Sequence, residues 1–215
     1  MLTEHDISPS DQADDTISQP DASNSEAPSE APHPPIHPDA LLRAGIGLGA
    51  VMVGAAIIWI NLIRGENIWQ TLQPGDSWQL VPGFLIGTIF ALAIWRAGQR
   101  LKDTRQIIAL LEKTLDLSAI EFRHVLLFSL LAAFPEEMLF RGALQPEVGL
   151  ILASVIFGAL HALTRLYFLY ATMAGLLLGV LFVLSGSLWL PIGTHFVVDL
   201  VMFLLLLQRN AHASE

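Results

Sequence analysis

Six apolar stretches follow one another from residue 41 to residue 207, and each approaches the length that crosses a bilayer. The hydrocarbon core is about 30 Å thick, so a helix needs roughly 20 apolar residues to span it. We therefore predict an all-α fold, a polytopic membrane bundle of about six transmembrane helices. The predicted spans cover residues 41–63, 80–97, 124–144, 148–164, 166–186 and 188–207.

The negative charge of the chain belongs to its beginning. Residues 1–40 hold nine of the 20 acids and no Lys or Arg, whereas the other 175 residues hold 11 acids and 11 bases. Seven of the 12 prolines also lie in this segment, which therefore has too little apolar surface to offset the entropy lost on folding. We predict a disordered acidic tail over residues 1–38 and a transmembrane domain over residues 41–207.

Composition excludes several classes of function. The chain has a mean hydropathy of +0.56 and no basic face, so it is not a nucleic-acid binder. It has no cysteine, which excludes a disulfide framework, a Cys-ligated zinc or iron–sulfur site and a thiol nucleophile. The expected partner is the lipid bilayer itself.

The distribution of bases predicts the orientation in the membrane. Segment 98–123 alternates charges with apolar residues, as an interfacial amphipathic helix does. Residues 96–123 carry six of the 11 bases, and basic segments are retained on the cytoplasmic side. If this segment lies on the cytoplasmic side, nine of the 11 bases lie there. This orientation predicts a multi-pass protein with both termini in the cytoplasm.

Three of the predicted helices carry residues that do not belong in lipid. A charged group at mid-membrane costs about 2.5–3.5 kcal/mol on insertion scales, so each needs a reason. One reason is structural, since polar side chains can hold helices together. A rise of ~1.5 Å per residue puts the set near one middle layer, which favours a functional site instead. The set consists of Glu136, Glu137, Arg141, His161, His195 and Asp199.

Helical spacing divides the glutamates between two roles. Glu137 and Arg141 are four residues apart, in the order that favours an ion pair on one helix face, and we predict that they support the site. Glu136 points about 100° away. It is then an unpaired carboxylate, as expected of a general base that activates water. Pro135 precedes both acids and is expected to kink the helix.

Two chemistries fit the remaining residues. His195 and Asp199 are also four apart and share a face. In the first chemistry, Glu136 and His161 polarise a water molecule while His195 and Asp199 hold the oxyanion formed at a peptide carbonyl. In the second, Glu136, His161 and His195, with Asp199 as a further ligand, bind a divalent metal such as zinc that activates the water.

Three short motifs resemble those of a known protease family. The segment from Glu136 to Arg141 resembles the EExxxR motif, Phe157 to His161 resembles FxxxH, and His195 to Asp199 resembles HxxxN/D. These are the motifs, in this order, of the CPBP family, the CAAX-processing and bacteriocin-processing intramembrane proteases, also called the Abi family. The resemblance covers residues 120–207.

The resemblance implies an intramembrane endopeptidase acting on membrane-associated peptides or proteins, with a bacterial inner membrane as the expected location. It implies that Glu136 activates water with His161 and that His195 and residue 199 form the oxyanion hole. The family has been described both as metalloproteases and as glutamate-dependent proteases. Asp199 stands where the prenyl-protein processing members carry Asn. This Asp is either neutral, or orients His195, or leans toward a metal.

Other interpretations of the sequence lead to different tests. A non-catalytic scaffold or immunity protein would keep its cellular phenotype after Glu136→Ala. A transporter or proton relay would carry flux across sealed vesicles. The spaced glycines at residues 45–49 and 175–179 predict close helix packing rather than a nucleotide-binding loop.

Overall fold

The computed structural model describes residues 35–213, except for the side chains of residues 102, 103, 212 and 213. Within this range the prediction of an all-α fold is confirmed, and the extended pairing is limited to one isolated bridge between Ile36 and Leu115. The α-helices are α1 Pro38–Ile58, α2 Ile68–Leu72, α3 Leu80–Gly98, α4 Lys102–Thr114, α5 Phe122–Glu137, α6 Gln145–Leu160, α7 Arg165–Ser185 and α8 Trp189–Ala213. Two π-helical segments, Trp59–Ile63 and Met138–Leu144, continue α1 and join α5 to α6.

The predicted tail, residues 1–38, lies outside the described residues except for its last four. Ile36 donates its backbone N–H to the Thr114 carbonyl at 2.8 Å and accepts from the N–H of Asp116 at 3.1 Å. Pro38 then begins α1, where its missing N–H costs nothing. The described chain thus starts bound to the segment that follows α4.

Five helical stretches of residues 35–213 are long and apolar enough to cross a membrane: Pro38–Ile63, Ile68–Gly98, Phe122–Leu160, Arg165–Ser185 and Trp189–Ala211. This count differs from the predicted six, because the third and fourth predicted spans lie in one stretch of 39 residues.

The stretch Phe122–Leu160 folds back on itself at Gly149. The rings of Phe140 and Phe157 have centroids 5.0 Å apart, and His161, which follows α6, lies 3.7 Å from Glu136. Such pairs require antiparallel arms. Gly149 has φ 81° and ψ 164°, a region that is essentially open to glycine alone. The two predicted spans therefore correspond to the two arms, and the second is short.

Replacing Gly149 by Ala is expected to lower the free energy of unfolding by about 1–3 kcal/mol. A Cβ at this position meets no atom within 4 Å, so the cost is backbone strain rather than a clash. Gly54→Ala is the matched control, because Gly54 has equal space and lies inside α1. Circular dichroism in detergent micelles measures the free energy of unfolding of both variants. Equal stability of the two variants would contradict this turn.

α8 packs against α3, α5 and α7 and so lies at the centre of the bundle. Close approach to α3 depends on two glycines, Gly83 and Gly87, which face Leu190 and Thr194. A Cβ at Gly83 would lie only 2.7 Å from the Leu190 carbonyl oxygen, which is too near for any larger residue. Small residues at a helix interface allow this contact, and they fix α8 beside the helices that carry the acidic residues.

The glycines predicted to mediate close packing do so in part. Gly49 lies on the α1 face that meets α5, with its would-be Cβ 3.2 Å from the Pro135 ring, whereas Gly47 has no atom of another element within 4 Å of its would-be Cβ. Gly175 of α7 is as close to Ser154 of α6. These contacts pack α1 on α5 and α7 on α6.

The predicted amphipathic segment, residues 98–123, contains α4. Ile108 on α4 is buried in a cluster with Leu117 and Leu206, so the apolar face of this helix packs on the end of α8. Its location at the membrane interface and the cytoplasmic orientation of both termini stay predictions.

Candidate active site

The first motif spans a change of helix type. α5 runs to Glu137 with Pro135 inside it, and the chain then continues as the π-helix Met138–Leu144. Pro135 cannot donate a backbone hydrogen bond, and π-helical turns within α-helices are frequent at functional sites. Pro135 predicted a kink in the helix. In the structure the α-helix instead changes to a π-helix directly after the two glutamates.

The ion pair predicted between Glu137 and Arg141 is present and buried. One guanidinium nitrogen lies 2.9 Å from Glu137 Oε1, and the two side chains are 0% and 2% exposed. A second guanidinium nitrogen donates to the Gly175 carbonyl of α7 at 3.0 Å. The guanidinium also lies 4.8 Å from the centre of the Phe157 ring, so Arg141 joins three helical segments.

Glu137 has a second partner that the sequence did not indicate. Its Oε1 atom lies 2.8 Å from Nδ1 of His195. A carboxylate only accepts hydrogen bonds, so Nδ1 of His195 carries the proton that makes this bond. Glu137 therefore orients His195 as well as pairing with Arg141, and the Nε2 atom of His195 is left to face Glu136.

His161 is oriented in a similar way by a different group. It caps the end of α6, and its Nδ1 donates to the Phe157 carbonyl at 2.8 Å. The two rings stack with centroids 4.5 Å apart. With Nδ1 committed to the carbonyl, Nε2 of His161 also faces Glu136.

Glu136 lies between the two imidazole rings. Its Oε2 atom is 3.7 Å from Nε2 of His161 and 3.9 Å from Nε2 of His195. The atom is buried and makes no hydrogen bond with another described residue. When both rings are neutral, all three of these atoms are acceptors. A group that donates hydrogen bonds, such as a water molecule, would satisfy them together.

Asp199 completes the set on the more open side. Its Oδ2 atom lies 3.5 Å from Nε2 of His195. Exposure of the side chains rises across the site, from 0% at Glu137 and 9% at His195 to 28% at Asp199 and 31% at His161. The structure thus brings all six sequence-predicted residues together, with a closed side at Arg141 and an accessible side at His161 and Asp199.

The predicted metal ligands do not form a metal-binding cluster. In the described part of the chain, three or more His, Asp and Glu side chains do not converge on one ion position. A tetrahedral zinc ion with ligands ~2.1 Å away holds its ligand atoms roughly 3.4 Å apart, and the separations of 3.7 and 3.9 Å around Glu136 are wider. As placed, these donor atoms therefore do not fit a bound zinc ion.

Comparison with known proteins supports the resemblance carried by the motifs. A family model described as type II CAAX prenyl endopeptidase, Rce1-like, matches residues 119–201. Over 81 residues the chain is 46% identical to a Bacillus subtilis (strain 168) protein called "Uncharacterized protein YpbD". The aligned part covers 36% of this chain and 43% of that relative, so the chain spans less than half of its length.

No solved structure matches the chain. The matched segment, 119–201, contains all six residues of the site and lies within helices suited to a membrane. Residues 119–201 of this integral membrane protein thus match the Rce1-like CAAX protease family, in agreement with the family resemblance predicted from the three motifs.

Proposed function

We propose that this chain is an intramembrane endopeptidase that hydrolyses peptide bonds in membrane-associated peptides or proteins. The observation that carries the proposal is the position of Glu136, a buried carboxylate with an unpartnered oxygen between the Nε2 atoms of His161 and His195. Three acceptors that face one space favour a bound water molecule. A carboxylate within reach of such a water is the group expected to take its proton.

The proposed reaction begins with that water. Glu136 accepts one proton while the water oxygen bonds to the carbonyl carbon, and His161 holds the water in line through Nε2. The carbonyl π electrons move onto the oxygen, which becomes an oxyanion. When the C–N bond breaks, protonated Glu136 returns its proton to the leaving amine. The reaction consumes one water and needs no other reactant.

His195 is proposed to stabilise the oxyanion. Its Nδ1 donates to Glu137, so a second proton on Nε2 would give the ring a donor directed at the oxyanion. Asp199, 3.5 Å from the same nitrogen, would then hold that proton in place. Of the three roles open to Asp199, the geometry favours the orientation of His195.

We further propose a location and a substrate class for this chain. The relative of bacterial origin agrees with a bacterial source, and we propose the inner membrane as the location, with the site reached from within the bilayer. The family description names prenylated CAAX substrates. We propose only the wider class of membrane-anchored peptides for this chain, because Asp199 replaces the Asn of the prenyl-protein processing members.

Purified protein in liposomes, given two quenched fluorescent peptides, tests this function. One probe carries a farnesylated cysteine near its C-terminus, and the other is unprenylated and anchored by an apolar helix. We expect cleavage of at least one probe, and we expect it to survive treatment with a zinc chelator because the described donors form no metal cluster. Failure to cleave either probe would contradict the proposed activity, and loss of cleavage restored only by zinc would contradict the metal-free mechanism.

A further inference from the structure

The face of α7 that meets the site carries residues about one turn apart. The Gly175 carbonyl accepts a hydrogen bond from Arg141, and Ala171, four residues earlier, is buried against Phe157. Residues four apart share a helix face. The next position on this face, toward the start of α7, is Tyr167.

Neighbouring helices place Tyr167 at the level of the unpartnered glutamate. On the two arms of the hairpin, Phe140 and Phe157 face each other, and four residues farther along each arm lie Glu136 and His161. On α7, Ala171 shares a cluster with Phe157, and Tyr167 lies four residues, about 6 Å, before it in the direction of His161. Tyr167 therefore lies beside the accessible side of the site.

Electrostatic and local contacts agree with this position. Asp199 and Glu136 both act electrostatically on Tyr167, which agrees with this position. Its backbone N–H donates to Thr164 Oγ1 at 3.1 Å, a cap that fixes the first turn of α7. The ring packs on Tyr170 with centroids 5.9 Å apart.

The six residues of the site offer few hydrogen-bond donors to an oxyanion. Arg141 donates to Glu137 and to a backbone carbonyl, and the Nδ1 protons of His161 and His195 are committed to other acceptors. A second proton on Nε2 of His195 would give one donor, 3.5 Å from Asp199, and the other atoms that face the reacting space are acceptors. An oxyanion is stabilised by donors, and the hydroxyl of Tyr167 is one.

We propose that Tyr167 is a further catalytic residue, whose hydroxyl donates a hydrogen bond to the carbonyl oxygen of the scissile bond as negative charge develops there. This inference rests on the proposed function. The hydroxyl keeps its proton throughout, so the transfer of the water proton to Glu136 and on to the leaving amine is unchanged. Tyr167 and His195 then approach the oxyanion from α7 and α8.

Tyr167→Phe, which removes only the hydroxyl, tests the inference with the probe that the wild type cleaves. We expect kcat to fall about 10²- to 10³-fold, as when an oxyanion donor is lost, while KM changes less than about threefold because the donor acts mainly on the transition state. A phosphinate analogue of the probe, which imitates the tetrahedral anion, should lose affinity in parallel. An N-methyl amide analogue, which imitates the substrate, should not.

Tyr170→Phe is the comparison, because Tyr170 is the other tyrosine of the chain and its ring stacks on Phe90 of α3. Asp199 acts electrostatically on both tyrosines, so the pair of variants separates the role of Tyr167, on which Glu136 also acts, from a general effect of removing a hydroxyl near Asp199. Its kcat should stay within about threefold of wild type. If Glu136→Gln is inactive, either of two results overturns the role of Tyr167 and leaves the proposed function standing. One is a loss of kcat in Tyr170→Phe comparable to that in Tyr167→Phe, and the other is an unchanged kcat in Tyr167→Phe. If Glu136→Gln cleaves the probe at the wild-type rate, the proposed function fails and this inference falls with it.

Discussion

Replacing Glu136 by Gln is expected to reduce peptide cleavage by at least about 10²-fold. Gln has the size and shape of Glu but cannot take a proton from water, so binding and fold are retained while the general base is lost. The variant protein in liposomes, assayed for its initial rate on both probes, measures the effect. We expect kcat to fall much more than KM, because the proton is transferred only during the reaction.

Glu147→Gln is the control for this variant. Glu147 lies at the start of α6 in the same helical stretch, 3.6 Å from Arg64, and its side chain is 41% exposed. It should keep the wild-type rate. A cellular phenotype that survives Glu136→Gln would instead support the scaffold interpretation, in which the motifs serve stability, and flux across sealed vesicles would support a transporter.

The buried pair of Glu137 and Arg141 predicts the largest effect on stability. Glu137→Leu removes the acceptor for both Arg141 and His195, and leaving a buried charge unpaired costs about 3–5 kcal/mol. Arg141→Leu should cost a similar amount. The double variant should lose less free energy of unfolding than the sum of the losses in the two single variants, because it leaves no unpaired charge at this pair. Unfolding in mixed detergent micelles gives the free energies for this cycle.

The exposed pair of Arg64 and Glu66 provides the comparison for that cycle. These side chains lie 2.6 Å apart, and Glu66 is 46% exposed, so Glu66→Gln should cost at most about 1 kcal/mol. Additive effects of Glu137→Leu and Arg141→Leu would show that the two residues are not coupled. The same result would remove the argument that Glu137 supports the site through this network.

Much of the bundle could be predicted because its signals lie along single helices. Apolar runs located α1, α3, α7 and α8 to within a few residues, and spacing by four predicted the pair of Glu137 and Arg141. The short helix α2 was missed, since five residues without an apolar run give no such signal. The two arms of the hairpin were predicted as the spans 124–144 and 148–164, but the turn at Gly149 was not, because a run of apolar residues does not show whether a glycine adopts positive φ.

Contacts between helices could not be predicted in the same way. The predicted depth in the membrane placed His195 near both glutamates. Whether its ring contacts Glu136 or Glu137 depends on how α8 is rotated about its axis. That rotation is set by contacts such as Gly83 against Leu190, which the sequence alone does not specify. Tyr167 was missed for a related reason, since a tyrosine in an apolar helix is typical of ordinary packing.

The most direct test of the account is hydrolysis in water enriched in oxygen-18. Mass spectrometry should find that the wild-type protein in liposomes cuts a membrane-anchored probe and places one oxygen-18 atom in the new carboxyl group, and that Glu136→Gln yields no such product. Intact probe after incubation with the wild type, or equal labelled product from the variant, would contradict an intramembrane endopeptidase that activates water through Glu136.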